Sequence, residues 1–211
     1  MGQTPDWMAP HGAPWTADAG RVVYDNPWLS VTEYAATAPT GRPAVYGMVG
    51  FKNRAIAVLP LHGDGTVTLV GQNRFPFRDY SWEIPEGGAP LGEDPLAGAK
   101  RELAEETGLT AGDWRLALTL QLSNSVTDEL AYGFVALDLS PGESAPDETE
   151  DIAIVRVPFR EALDLAVGGQ IQDSLTVAML LRAHHMACSG ELPRGLSRLV
   201  LGDPGKPAEE L

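Results

Sequence analysis

Three glutamates, Glu102, Glu105 and Glu106, stand three and four residues apart within Arg101-Glu102-Leu103-Ala104-Glu105-Glu106. On a helix this spacing gathers them on one stripe, beside a second stripe of Leu96, Ala99 and Leu103 that can dock on a core. Like charges one turn apart cost roughly 0.2–0.5 kcal/mol on a bare helix, and a third carboxylate adds to that. A divalent cation removes the cost. Carboxylate oxygens are hard ligands, so the expected ion is Mg²⁺ or Mn²⁺, which shares its coordination with waters and substrate phosphates. The cluster therefore points to phosphoryl chemistry with water as the nucleophile. The plain alternative is a solvated helix face on which Arg101 pairs with Glu105.

Such a stripe needs a helix of fixed phase, and the flanking residues supply one. Asp94 can cap the first turn, Pro95 suits the first helical position, and Gly108 marks the C-terminal cap, giving a helix of three to four turns. Before it lie an extended segment, Trp82-Glu83-Ile84-Pro85, and a Gly-rich loop from Glu86 to Gly92. Further upstream, Val22 to Tyr24, Trp28 to Tyr34 and Ala44 to Val49 read as an early β meander. Ala55 to Leu61 and Thr66 to Val70 are expected to pair as a hairpin through His62-Gly63-Asp64-Gly65. Downstream, Trp114 to Leu122, Leu130 to Leu139 and Ile152 to Val157 read as strands, with an acidic loop over Pro146 to Asp151. Helices are expected over Phe159 to Val167 and Asp173 to Ala187.

A chain of 211 residues suits one main core. With 44% hydrophobic and 21% charged residues it is neither disordered throughout nor collagen-like. The formal charge of −14, from 15 Lys and Arg against 29 Asp and Glu, repels a nucleic-acid backbone. It would also repel a nucleotide or sugar phosphate unless a cation stood between. Cys188 is alone and no Cys/His cluster has zinc spacing, so a reducing, cytoplasmic compartment is expected. His184 and His185 diverge on their helix, and His62 belongs to a turn, so none is a ligand candidate. Residues Met1 to Trp15 have three prolines, no basic start and no apolar run, which argues against a signal peptide or a membrane span. The expected divisions are a flexible arm over 1–20, a β region over 21–50, a main domain over 51–188 and a poorly ordered tail over 189–211.

Taken with its loop, the glutamate helix runs Gly87, five residues, Glu93, seven residues, then Arg101 through Gly108 and Leu109. At every position this resembles the signature of the Nudix hydrolases, which has seven fixed residues and two apolar ones. A chance match anywhere in the chain has a probability on the order of one in a million. The resemblance implies hydrolysis of a nucleoside diphosphate linked to another moiety, with metal ions held by the box glutamates. Glu102, Glu105 and Glu106 match the metal-ligand positions, Arg101 the arginine that orients them, and Glu93 a position of structural role. The backbone carbonyl of Glu86 also resembles a metal ligand of related enzymes.

Outside the box the chain is similar to the ADP-ribose and nucleoside-diphosphate-sugar pyrophosphatases, from Gly71-Gln72-Asn73-Arg74 through the box, Asp147 to Asp151, and Gly169 to Ser174. In that branch a glutamate of the acidic loop acts as general base or further ligand. Glu148 matches the base position and Glu150 the ligand position, and a one-residue slip exchanges them; Glu105 and Arg101 of the box stand with Glu148 as catalytic candidates. Arg74 and Glu83 match nucleotide- or ribose-contacting positions, Arg78 is a second phosphate candidate, and Glu129 matches an acidic position near the substrate's distal end. Trp82 can stack on a base or serve as a strand residue of the core. Asn124 stands where many ADP-ribose hydrolases carry a proline, which leaves other sugar nucleotides open.

The resemblance implies an α+β fold, a Nudix-type α/β/α sandwich around a mixed β-sheet, preceded by a small N-terminal β region that relatives exchange across a homodimer. It implies cleavage of ADP-ribose, GDP-mannose or ADP-glucose type substrates into a nucleoside monophosphate and a sugar phosphate. A nucleoside triphosphate pyrophosphohydrolase and a non-catalytic ADP-ribose-type sensor are the alternatives. The intact glutamates speak against the sensor, and the flanking segments against the triphosphatase.

Overall fold

A computed structural model describes residues 4–142 and 151–202, in two compact units: Met1–Lys52 with Ser123–Glu129, and Asn53–Leu122 with Leu130–Leu211. In the first unit β1 (Thr16–Ala17), β2 (Arg21–Asp25), β3 (Leu29–Thr37) and β4 (Pro43–Phe51) form one antiparallel sheet in which every other strand pairs with β3. The expected meander is present. Asn26 makes the β2–β3 turn by accepting the amides of Trp28 and Leu29 on its Oδ1, at 2.9 and 2.8 Å. The arm expected to be flexible is in part ordered: Thr16 and Ala17 pair with Thr37 and Ala36, and Trp15 meets the Tyr46 ring edge-on at 5.2 Å. Among the described residues of this unit, Ala36 is the one buried apolar side chain, as befits a sheet too small to enclose a core. Residues 123–129 also belong here, held by Val49 N donating to Val126 O and Phe51 N to Asp128 Oδ1.

The second unit contains β5 (Asn53–Pro60), β6 (Thr66–Arg74), β7 (Asp79–Glu83), β8 (Glu86–Pro90), α1 (Pro95–Thr107), β9 (Leu109–Gln121), β10 (Leu130–Pro141), β11 (Ala153–Pro158), α2 (Phe159–Val167), α3 (Ser174–Ser189) and α4 (Arg194–Val200). One sheet has the order β8-β5-β10-β9, mixed because β5 and β10 run parallel; the other is the antiparallel β11-β6-β7. Alternation along β5 gives the layers. Ile56 and Val58 face Ala99 and Leu103 of α1, whereas Ala57 and Leu59 join the core of Phe159, Leu175, Met179 and Leu180 from α2 and α3. This is an α/β/α arrangement. Each fully buried side chain such as Leu103 contributes about 1.5–3 kcal/mol to it.

Three sequence expectations are corrected. The His62–Gly65 turn forms, with Gly65 at φ 81° and its amide on His62 O, yet β5 and β6 join different sheets and meet through the single bridge Leu61–Val67. A strand buried on both faces needs a neighbour on each edge, and β5 finds them in β8 and β10. The Gly-rich segment is no loop over its first five residues: residues 86–90 are β8, antiparallel to Asn53–Ala57. Finally, the chain beyond Ser189 carries α4, whose Leu196 and Val200, with Leu192 before it, are buried in the core.

Candidate active site

Helix α1 begins and ends where its caps dictate. Asp94 accepts the Leu96 amide, Pro95 fills the first turn, and Gly108 closes the helix at φ 65° with its amide on Ala104 O. That fixed phase turns Gly98, Ala99, Glu102, Leu103 and Glu106 inward. The glutamate stripe is thus no solvated face, since Glu102 is 8% exposed and Glu106 4%. Glu105 remains half-exposed.

The two buried carboxylates lie over Glu86 and Gly87 of β8. Glu106 Oε2 accepts the Glu86 amide at 3.0 Å. Glu102 occupies the space of the side chain Gly87 lacks, because a Cβ there would stand 2.1 Å from the Glu102 carboxyl carbon. Arg101 binds the assembly together: its guanidinium donates to Glu102 at 2.8 Å, to Glu105 at 3.0 Å and to Gly88 O at 2.8 Å, and stands 3.6 Å from Glu93. Partial burial works against the Arg101 charge, but Glu102 and Glu105 outweigh it and hold the proton more tightly than usual. The pairing of Arg101 with Glu105 expected of an ordinary helix face therefore occurs, within a larger arrangement.

Among the described residues no group of three or more His, Cys, Asp or Glu is arranged to hold a metal ion; Arg101 pairs with Glu102 and Glu105, and Glu106 accepts the Glu86 amide. The donor set nevertheless fits a hard divalent cation: carboxylate oxygens from one side of α1 above a stretch of backbone that Gly87 leaves open. Burial first, and then Asp173, push the Glu86 carboxyl well above the usual carboxylate range. A cleft of about 650 Å³ opens between the β6–β7 hairpin and the start of α3, lined by Arg74, Trp82 and Glu83 and by Gln170, Gln172 and Ser174. Arg74 grips Glu83 through its Nε at 3.0 Å to each carboxylate oxygen and through Nη2; these bonds hold its proton more firmly than usual, and Glu83 is buried.

Trp82 lines this cleft with its ring edge-on to Tyr80 at 5.7 Å, so it is no core residue. Arg78 sits in the hairpin turn at φ 53° and is not part of the lining. Glu129 belongs to the first unit, where burial and Asp128 raise its carboxyl above the usual value. Glu148 and Glu150 lie outside the described residues. Sequence reasoning missed the far wall of the cleft and two residues behind Glu86, namely Asp173 and Thr176. Their signal was an Asp three residues before a Thr at a helix start, which reads as a cap and nothing more.

The profile of the NUDIX domain matches residues 51–176, more than half of the chain. A methanol dehydrogenase activator of Bacillus methanolicus is 34% identical over 125 residues, covering 58% of this chain and 68% of that protein. An ADP-ribose pyrophosphatase of Bacillus subtilis (strain 168) is 35% identical over 124 residues, covering 58% and 67%. A GDP-mannose pyrophosphatase of Yersinia pestis is 31% identical over 137 residues, covering 61% and 69%. A crystal structure of an ADP compounds hydrolase superposes with a TM-score of 0.77 at 22% identity, covering 87% of this chain and all of the other, and shares the fold. Fold and carboxylate helix together define a hydrolase of α+β architecture. The chain belongs to the NUDIX domain family.

Proposed function

We propose that this hydrolase cleaves the pyrophosphate bond of nucleoside diphosphate sugars, of ADP-ribose, GDP-mannose or ADP-glucose type. Water adds across the P–O–P bridge, and a nucleoside monophosphate and a sugar phosphate leave. The observation that carries this reading is the pair of buried carboxylates, Glu102 and Glu106, seated over Glu86–Gly87 in the unit that also holds the Arg74 cleft. The names of the Bacillus subtilis and Yersinia relatives support the substrate class.

Glu102, Glu105 and Glu106, with the Glu86 carbonyl and Glu150, would hold Mg²⁺ or Mn²⁺, which when bound supplies positive charge beside the phosphates and acidifies water. The protein's own groups do the rest. Arg101 orients the carboxylates. Arg74, held square by Glu83, offers its remaining guanidinium donors to a phosphate or ribose oxygen, with Arg78 as a second cation. Trp82 offers a face to the base. Glu148 is our choice of general base, with Glu150 the alternative and Glu105 a further catalytic carboxylate of the box. We further propose a homodimer in a reducing, cytoplasmic compartment. Val22, Val23, Tyr24 and Trp28 stand exposed on the first unit, and the lone cysteine is free. Among the described residues no helix is long and apolar enough to cross a membrane.

The test is release of nucleoside monophosphate from ADP-ribose, a series of nucleoside diphosphate sugars and a series of triphosphates, with Mg²⁺ or Mn²⁺, beside Glu106→Gln. Turnover of diphosphate sugars that the substitution abolishes supports the proposal. Preference for triphosphates moves the assignment to the triphosphatase, and ligand binding without turnover moves it to a sensor. Sedimentation as a monomer at assay concentration would remove the dimer.

A further inference from the structure

The chain passes from β7 in one sheet to β8 in the other through two residues, Ile84 and Pro85. Proline has no amide proton, so the link has one backbone donor, the Ile84 N–H. It goes to a side chain on a different element: Thr176 Oγ1 accepts it at 3.0 Å. The same hydroxyl donates to Glu86 Oε1 at 3.3 Å, just past the link. A threonine hydroxyl has one proton and lone pairs to spare, so both bonds can form at once. Thr176 is itself anchored, because Asp173 Oδ2 accepts its amide at 2.7 Å. Thr176 is 0% exposed.

The stretch so clamped is the floor on which the glutamates sit. Pro85 O accepts the Val58 amide at 2.9 Å, the Glu86 amide meets Glu106, Gly87 makes room for Glu102, and Gly88 O accepts from Arg101. Val58 and β5 hold this floor from the sheet side. Thr176 holds its entry, where no ladder bond is available. A small shift of Ile84 would carry Glu86 and Gly87 with it, while α1 stays fixed by its own core contacts.

We infer that Thr176, braced by Asp173, is a positioning residue that holds the Glu86–Gly87 backbone in register with Glu102 and Glu106, and thereby sets the affinity of the carboxylate site for a divalent cation. The inference rests on the metal-dependent reading above. It concerns a residue that touches neither the cation nor the substrate.

Mn²⁺ binding to the substrate-free full-length protein, followed by electron paramagnetic resonance of the free ion, tests it on the wild type, Thr176→Val, Thr176→Ser and Leu180→Ala. Partners behind metal ligands typically change affinity by about 10–100-fold when lost, so Thr176→Val should weaken Mn²⁺ at least about tenfold. It should also raise the Mg²⁺ concentration for half-maximal turnover, with little change in the substrate KM at saturating metal. Thr176→Ser, which keeps the hydroxyl, should bind as wild type. Leu180→Ala, one turn along the same helix and buried in the core without a polar bond to the β7–β8 link, should lower the thermal midpoint and leave affinity alone. Thr176→Cys, a weak donor and acceptor, carries the comparison if the valine variant does not fold. Wild-type affinity in Thr176→Val, equal losses in Val and Ser, or an equal loss in Leu180→Ala would each overturn the inference. A wild type that neither binds Mn²⁺ nor turns over with it would remove the metal-dependent reading and this inference together.

Discussion

A methyl group placed on Gly87 should abolish hydrolysis and leave the fold standing. The added Cβ would lie 2.1 Å from both the carboxyl carbon and Oε2 of Glu102 and 2.3 Å from Oε1. Carbon atoms rest at roughly 3.5–4.0 Å, so the carboxylate has to retreat by about 1.5 Å. The fold tolerates this, because the obstructing atoms are the end of a flexible side chain and Gly87 does not have a positive φ. Alanine in a strand gains roughly 0.5–1 kcal/mol over glycine, and an off-rotamer Glu102 costs about 0.5–1.5 kcal/mol, so the two nearly cancel. The melting temperature should stay within about 4 °C, given ~2–4 °C per kcal/mol for a chain of this size. Catalysis does not tolerate it: a displacement of ~1 Å in a reacting constellation costs on the order of 10²-fold. Gly87→Ala should therefore lose at least ~10²-fold in kcat/KM, read as nucleoside monophosphate release at saturating Mg²⁺, alongside a calorimetric scan. Activity within about threefold of wild type would show that Glu102 has no fixed post above β8, and the geometric argument for the site would fail.

Glu83→Gln should leave the partly exposed Arg74 guanidinium without its buried carboxylate partner; we expect a loss of roughly 1–2 kcal/mol in urea unfolding and a raised KM, and an unchanged urea midpoint would contradict the pairing. Leu196→Ala, in the segment first taken for a tail, should cost about 2–3 kcal/mol because the side chain is buried in the core, whereas a true tail would not respond. His62 gives a pH signature. Burial, aided by Arg156 and opposed by Asp64, keeps its imidazole below the ordinary value of 6.5. As pH falls below that value the unfolded chain takes up a proton before the folded one does, so this residue's share of stability is complete above it and declines toward the lowered folded value. Urea midpoints at pH 7.5 and 5.5 should differ more for the wild type than for His62→Asn; parallel pH profiles would count against it.

Helix α1 was legible in the sequence because its signals are local. Asp94, Pro95 and Gly108 act on the backbone within one turn, and they fix both the ends of the helix and the angular position of each glutamate. The meander of the first unit was legible for the same reason, through Asn26 and the turn at Gly41. The pairing of β5 with β6 was misjudged because a turn sets the direction of the chain, not the partner of a strand. His62–Gly65 does reverse the chain, but which edges pair depends on what covers both faces of β5. Gly87 and Gly88 suggested a loop, and they are strand residues whose missing side chains admit Glu102 and Asn53.

Residue types and spacing alone determined the carboxylate helix, the formal charge of −14 and the Nudix resemblance, and the proposal of a hard cation beside phosphate starts from these. Tertiary structure alone decided that Glu102 and Glu106 are buried over Glu86–Gly87, that Thr176 and Asp173 stand behind that floor, that residues 123–129 belong with the first unit, and that α4 closes the core. The division has a physical cause. Caps, turns and helical periodicity are short-range and written in neighbouring residues. By contrast, Thr176 meets Ile84 across 92 positions of chain, in a contact that arises only when burial has drawn distant elements together.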